Sequence, residues 1–468
     1  MRAFISFLVL SLTTLLGCST ELDPCLDQVC EHPIPTRGKA DTFGDPTPWT
    51  NWQRDILATA LAVDLTSKTA TARILLAAST SDGASFDVRG LDVTSVGNAG
   101  GALEHQIVQG RLDVNLPKVD PPQDDEVVVD FKLTEREGQQ GLSAGGETFT
   151  WPYFCGNLFP CKSDPSDGLR FELSVSGVPQ GRQVVFPTQI PADAPSYMLA
   201  WVTGDYTFRS LGKTTAGTEV GVWWRPGEES RALAGTDGML QVFAWLEQNI
   251  GPYLFGQAVG SVSVRWGYGA AYGGMEHHPL WHVSDLSIDD FYIHAHEAAH
   301  GWFGDGVRLR CWEDFVLSEG TVSYLAARAM ASAKGPQVEF EIWERFRQRL
   351  LRAVSSPSYG DGIAWPDTCN VVDIIEDNLY TSIPYMKGAF FYRAVEQELG
   401  TVALTGVISR FYQDSAGKAA SMQEMLDLIR TEAVAIGGSD LAHKVDKLAQ
   451  DWLRSTELPQ LPDLPSAP

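Results

Sequence analysis

His296-Glu297-Ala298-Ala299-His300, followed by Glu319 nineteen residues later in Leu317-Ser318-Glu319-Gly320, is the stretch that decides how this chain folds. On a helix, residues four apart share a face, so both imidazoles can reach one metal ion. Glu297 stands one step round that helix, where its carboxylate can act as general base towards water beside the metal. The flanks Phe291-Tyr292-Ile293 and Gly301-Trp302-Phe303-Gly304 are apolar. They predict a buried helix, in which unsatisfied His and Glu side chains would be costly. His294 lies two residues from His296, on another face, and falls outside the ligand set. A catalytic zinc takes three protein ligands and keeps one position open. Glu319, at the start of the next helical pattern, supplies the third ligand. The expected cofactor is therefore one zinc ion on His296, His300 and Glu319.

Around this stretch the chain divides by pattern. Its 468 residues, 44% hydrophobic and 20% charged, have ordinary globular composition, enough for roughly two or three domains. A net charge of -24, with no basic run, excludes a nucleic-acid partner. From residue 51 to 205, short alternating runs such as Leu61-Ala-Val-Asp-Leu65 and Leu169-Arg-Phe-Glu-Leu-Ser-Val175 sit between Gly-, Asp- and Pro-rich turns, as in an all-β domain. From 206 to 457 helical patterns dominate: Gly238 to Gln248, Asp290 to Phe303, Leu317 to Ala333, Val338 to Val354 and Gly388 to Glu398. The Pro-rich tail, 458–468, cannot continue a helix and is expected to be an exposed end.

The N-terminus reads as an export signal. An apolar run from Ala3 to Gly17 follows Met1-Arg2; it is too short for a membrane span and has the dimensions of a signal peptide, 1–17. Leu15-Leu16-Gly17-Cys18 resembles the bacterial lipobox, which implies lipidation of Cys18 and anchoring to a membrane, the outer one in a Gram-negative cell. Residues 18–50, without apolar periodicity, read as a tether. Setting Cys18 aside leaves six cysteines, an even number that favours disulfides in an exported protein. The local pairs Cys25–Cys30 and Cys155–Cys161, with Cys311–Cys369 remaining, are one of about 15 connectivities.

His296-Glu-Ala-Ala-His-Gly-Trp-Phe-Gly-Asp305 and Trp312-Glu-Asp-Phe-Val-Leu-Ser-Glu-Gly-Thr-Val-Ser-Tyr324 together resemble the zinc core of the aminopeptidase N and leukotriene hydrolase family. Tyr272-Gly273-Gly274-Met275-Glu276 resembles the family's exopeptidase motif, Tyr380-Thr-Ser-Ile-Pro-Tyr385-Met-Lys-Gly388 its catalytic-tyrosine segment, and Phe159-Pro-Cys161 part of its N-terminal domain. The resemblance implies an α+β multidomain chain, an N-terminal all-β domain followed by a thermolysin-like, mainly helical zinc peptidase domain. It implies that peptides are the substrates and that an aminopeptidase is the favoured activity. Tyr385 would donate to the oxyanion, and Glu276 would bind the substrate's α-ammonium. Gly273 and Gly274 would let a peptide backbone approach, with Met275 and Tyr272 completing the binding segment. Asp305 would steady a ligand histidine.

The pattern also departs from the family. His277 replaces the asparagine that ends the exopeptidase motif. No Gln or Glu stands in Phe149-Thr-Trp151-Pro-Tyr-Phe-Cys155 to help hold the amine, and only Glu147 lies near. The resemblance further implies that the large C-terminal helical domain of many members is absent, leaving an open cleft. Two alternatives follow: a zinc endopeptidase, and a catalytically silent surface lipoprotein that binds through the fold. Gly141-Leu-Ser143-Ala-Gly145 fits the serine-hydrolase elbow pattern, but its loop-like neighbours do not supply the strand and helix that the elbow needs.

Overall fold

A computed structural model describes residues 43–136, 140–150, 154–266, 273–356, 362–367, 369, 372 and 380–465. The first half is built on a seven-stranded sheet. Its order is Gln189–Pro195, Gly168–Ser176, Ile56–Asp64, Thr69–Leu76, Asp125–Lys132, Asp92–Asn98 and Gly101–Ala102. Every pairing is antiparallel except Ile56–Asp64 with Gly168–Ser176. The alternation seen in the sequence is the alternation of burial: Ala70, Ala72, Ile74 and Leu76 point into the core, and the residues between them point out.

The second half opens with a sheet that the helical patterns hid. Thr207–Lys213, Glu219–Trp224, Ala258–Val264, Leu280–Ser284 and Gly274–Met275 form five strands in that order, with two parallel pairings at the centre. Ala258–Val264 is buried at six consecutive positions, so the short Ser261-Val-Ser-Val264 alternation is not an alternation of burial. Helices then follow: α1 Glu229–Gly235 and α2 Met239–Asn249 before the last strands, and α3 Phe291–Ala299, α4 Phe315–Lys334, α5 Pro336–Ser355, α6 Ser382–Leu399, α7 Thr401–Ser415 and α8 Met422–Ala449 after them. The chain is thus an N-terminal β-sheet domain followed by a helical catalytic domain of α+β class. Among the described residues no helix is long and apolar enough to cross a membrane.

The two halves interlock. Phe149 and Tyr197, from the β half, sit in the core of the helical half, and Phe255 sits in the core of the β half. Arg308 rivets the seam, donating to the carbonyls of Ser166 at 3.3 Å, Asp193 at 2.9 Å and Gly417 at 3.0 Å. Beside it, buried Lys162 pairs with Asp167 at 3.1 Å. Two disulfides are present, Cys155–Cys161 and Cys311–Cys369, so of the connectivities left open the structure contains these two pairs. Cys25, Cys30, Cys18 and the whole signal peptide lie outside the described residues.

Two expectations need correction. The tether does not run to residue 50: Phe43 is buried against Trp52, and Arg111 holds the carbonyls of Phe43 and Asp45, each at 2.8 Å. A buried Arg111–Asp113 pair needs those partners, and it takes them from this segment. Nor is the tail a loose end. Leu458-Pro-Gln, Leu461-Pro-Asp and Leu464-Pro repeat every three residues, and the three leucines pack against the main core. An extended polyproline-type chain turns once per three residues, so this spacing gives it one apolar face.

Candidate active site

Asp290 caps α3, its carboxylate accepting from Tyr292 N at 3.0 Å while Arg345 clasps both its oxygens. The helix ends at Ala299, four residues before the sequence pattern does. His300, with φ -59° and ψ -23°, still keeps helical geometry, so it shares a face with His296. Gly304, at φ +100°, then turns the chain back over His300; a Cβ there would meet Ser318 Oγ at 2.5 Å and His300 Nδ1 at 2.7 Å. His300 Nδ1 lies 3.0 Å from the Phe303 carbonyl and 3.3 Å from Ser318 Oγ. Donation to that carbonyl leaves the lone pair on Nε2. On His296, Nδ1 is 3.2 Å from Tyr292 Oη, one helical turn back.

α4 brings Glu319 to the two imidazoles. His296 Nε2 is 3.0 Å from Glu319 Oε2, His300 Nε2 is 3.5 Å from it, and the two Nε2 atoms are 3.3 Å apart. Tetrahedral zinc with bonds near 2.0–2.1 Å sets its ligand atoms about 3.3 Å apart, so the triangle has the size of one zinc face. The surrounding charge asks for a cation as well. Burial pushes Glu297 up, and the Glu276 and Glu319 carboxylates add to the shift. Glu319 is driven the other way: although burial opposes it, His300 and His296 hold it down to about 2. Burial takes His296 down to about 4, so that imidazole is neutral and able to ligate. His300 is drawn well above its ordinary value, against burial, by the Glu276, Glu319 and Glu297 carboxylates, and such a demand for positive charge among three carboxylates and two imidazoles fits a divalent ion.

Gly320 and Gly388 set the distance between α4 and α6. A Cβ on Gly388 would lie 2.5 Å from Gly320 Cα, so the two backbones touch just beyond Glu319 and Tyr385. Pro384 sits in the first turn of α6, where its missing N–H costs nothing, and Thr381 caps the helix. Tyr385 therefore enters the site on the opening turn, its ring 5.9 Å from that of His296 and nearly parallel to it. Burial raises its hydroxyl well above the ordinary value, so it stays protonated as a donor.

Gly274–Met275 is the edge strand of the five-stranded sheet, and it carries the remaining expected residues. Gly273, at φ +111°, donates its N–H to Ser287 Oγ at 3.0 Å. The space that a Gly274 side chain would take belongs to Glu297, whose Cγ lies 2.4 Å from the ideal Cβ position. Met275 points its side chain into the core. Glu276 turns inward: one oxygen lies within 4.8 Å of ligand atoms on Glu297 and His300. Burial raises Glu276, and a hydrogen bond from Tyr197 opposes the rise. Tyr272 and Trp151 lie outside the described residues.

The sequence reading missed several contacts. His278 bonds Tyr253 Oη at 2.8 Å and the Glu297 carbonyl at 2.7 Å, tying the edge strand to the zinc helix. Tyr292, Ser318 and Tyr197 also escaped notice, though Tyr292 stands one helical turn before His296 and could have been found by that spacing. Glu147 pairs with Arg225 and accepts from Ser143 Oγ at 3.0 Å. Ser143 sits between the strands Gln140–Leu142 and Thr148–Thr150, a hairpin rather than a strand-to-helix elbow. His294, as expected, faces elsewhere, bonded to Ser261 Oγ at 2.7 Å and the Ile288 carbonyl at 2.9 Å. The His300 imidazole is held by the Phe303 carbonyl and Ser318 Oγ; Asp305 meets His300 through its backbone N–H, 3.2 Å from the His300 carbonyl, and among the described residues its carboxylate makes no hydrogen bond to the ring.

Comparison with known proteins agrees with this geometry. Residues 288–452 match the peptidase family M1 domain. Leucine aminopeptidase 2 of Neurospora crassa is 24% identical over 344 residues, 66% of this chain and 48% of that protein. Its counterpart in Aspergillus niger is 25% identical over 346 residues, 65% of this chain and 52% of the relative. The chain thus spans about half the length of the curated relatives it matches. Among solved structures, leukotriene A4 hydrolase from Saccharomyces cerevisiae superposes with a TM-score of 0.73 at 20% identity, over 88% of this chain and 69% of that one. The M1 zinc metallopeptidase of Deinococcus radiodurans gives 0.70 at 18% identity, over 88% and 96%. His296, His300 and Glu319 form the zinc triad typical of M1 peptidases.

Proposed function

We propose that the chain, whose residues 288–452 match the peptidase family M1 domain, is a zinc aminopeptidase that removes residues from the free N-termini of peptides. The observation that carries the proposal is Glu276, a buried carboxylate within 4.8 Å of ligand atoms on Glu297 and His300. A carboxylate at that distance can bind an α-ammonium and hold the first peptide bond at the zinc triad. The relatives named leucine aminopeptidase 2 support the same reading at low identity.

His296, His300 and Glu319 would hold the zinc ion, which would supply Lewis acidity to the scissile carbonyl and to water. Glu297 takes the water's proton on its carboxylate and delivers it to the nitrogen of the leaving amine as the C–N bond breaks. Its raised affinity for protons suits both halves of that transfer. Tyr385 donates a hydrogen bond from its hydroxyl to the carbonyl oxygen as negative charge develops there, and keeps its proton. His278, bonded to the Glu297 carbonyl, keeps the base over Gly274.

One observation favours a second reading. Glu147 is paired with Arg225, and a zinc endopeptidase follows if Glu276 alone does not enforce the N-terminus. Matched peptides with free and acetylated N-termini separate the two. Stepwise release from free peptides only, with Glu276→Gln raising KM for them, supports the aminopeptidase; equal cleavage of acetylated peptides refutes it. We also place the protein on a bacterial membrane through a lipid on Cys18. A Cys18→Ser variant that still partitions into detergent would refute the anchor.

A further inference from the structure

Lys387 stands two residues after Tyr385 on α6 and is fully buried, with 0% of its surface exposed. At about 100° per residue the two side chains leave the helix roughly 200° apart, so they face opposite ways. Tyr385 faces the zinc helix. Lys387 faces the end of the chain, where Nζ donates to the carbonyls of Gly362 at 2.7 Å, Ser455 at 2.6 Å and Glu457 at 3.2 Å. A buried ammonium is tolerated only when its donors are matched, and among the described residues three carbonyls accept from it. Two of those carbonyls follow the last helical turn, Gln450–Arg454, where the helix dipole concentrates negative charge.

What Lys387 grips is itself fixed. Ala364 N and Trp365 N donate to the Leu453 carbonyl at 3.1 and 2.9 Å, and the Arg454 guanidinium lies 3.3 Å from the Trp365 ring centroid. From Ser455 the chain continues as a strap whose Leu458, Leu461 and Leu464 pack on the core. Gln397, near the far end of α6, donates to the Asp463 carbonyl at 2.9 Å. The strap therefore meets α6 both at Lys387 and at Gln397. On the opposite side, Gly388 bears on Gly320 of α4.

We propose that Lys387 is a positioning residue: by locking the back of α6 to the C-terminal strap, it fixes how far Tyr385 reaches into the zinc site. The inference rests on the reading of Tyr385 as oxyanion donor. It goes beyond that reading by assigning control of the donor to a lysine and a strap that touch no substrate.

The test compares Lys387→Met, and separately the strap double variant Leu461→Ser/Leu464→Ser, in the wild-type and Tyr385→Phe backgrounds, as kcat per zinc-loaded folded molecule. A misplacement near 1 Å costs up to about 100-fold, so Lys387→Met is expected to lower kcat about 10- to 100-fold with KM within about twofold. In the Tyr385→Phe background, where the donor is already gone, the same change should move kcat by less than about twofold. The strap variant should show the same pattern at smaller amplitude, and it carries the comparison if Lys387→Met does not fold. Equal losses in both backgrounds, or an unchanged kcat with only a lower Tm, would overturn the proposal. Full activity in Tyr385→Phe alone would refute the oxyanion reading and the proposal with it.

Discussion

Replacing Gly388 by alanine is the sharpest way to separate Glu319 from Tyr385 without touching either. The new Cβ would lie 2.5 Å from Gly320 Cα and 2.7 Å from Val316 Cγ2. Ordinary carbon contacts begin near 3.5 Å, so α6 must withdraw from α4 by about 1 Å. Overpacking of this kind costs about 1–3 kcal/mol, offset by roughly 1 kcal/mol of better helix propensity. The net, about 0–2 kcal/mol, should lower Tm by at most about 8 °C. The catalytic loss should be larger than the stability loss suggests, up to about 100-fold in kcat, because the donor retreats from the oxyanion. Gly406→Ala on α7 is the matched control: a Cβ there has open space around it, so activity should hold and Tm should not fall. Peptide hydrolysis at saturating zinc and thermal unfolding of the three proteins provide the measurement. A Gly388→Ala protein with wild-type kcat and Tm would refute the idea that this contact sets the site.

Other changes follow from the same geometry. Glu297→Gln keeps shape and ligands but removes the base, so turnover should fall about 100- to 10,000-fold while metal analysis still finds one zinc per chain. Replacing Cys311 and Cys369 with serine opens a link across 58 residues of sequence, worth about 4 kcal/mol in the chain-entropy picture, and denaturant midpoints should fall accordingly. Asp167 offers a pH signature. Burial pushes its carboxyl up to about 6 against the pull of Lys162, whereas the unfolded group titrates near its ordinary 3.8. Between those values the folded protein binds more protons, so stability falls as pH rises through the window and levels off above about 6. Asp167→Asn should lack that slope, up to about 3 kcal/mol in total, and a pair of parallel stability–pH curves would contradict it.

The metal site was legible in the sequence because its chemistry obeys helix spacing: His296 and His300 stand four apart, and Glu319 follows at the start of the next helical pattern. The β half was legible through alternation, since one face of its main sheet meets water. The strand Ala258–Val264 was not, because its Ser261-Val-Ser-Val264 alternation is short and lies among helical patterns, while both its faces are buried. Pro384 obscured the first turn of α6, although a proline costs little there. Lys387 and the leucine strap were harder still. A lysine reads as exposed until three carbonyls close on it, and a Leu-Pro-x repeat reads as a loose end until a core is found for its apolar face. The Gly320–Gly388 contact joins two helices far apart in sequence, and nothing local to either glycine announces it.

The central claim is that one zinc ion on His296, His300 and Glu319 carries the hydrolysis. The direct measurement strips the protein with chelator and titrates zinc back while following cleavage of a free N-terminal peptide. Activity should rise linearly and stop at one equivalent in the wild type, and His300→Ala should recover none of it. Hydrolysis that survives stripping, or that returns equally in His300→Ala, would contradict the assignment.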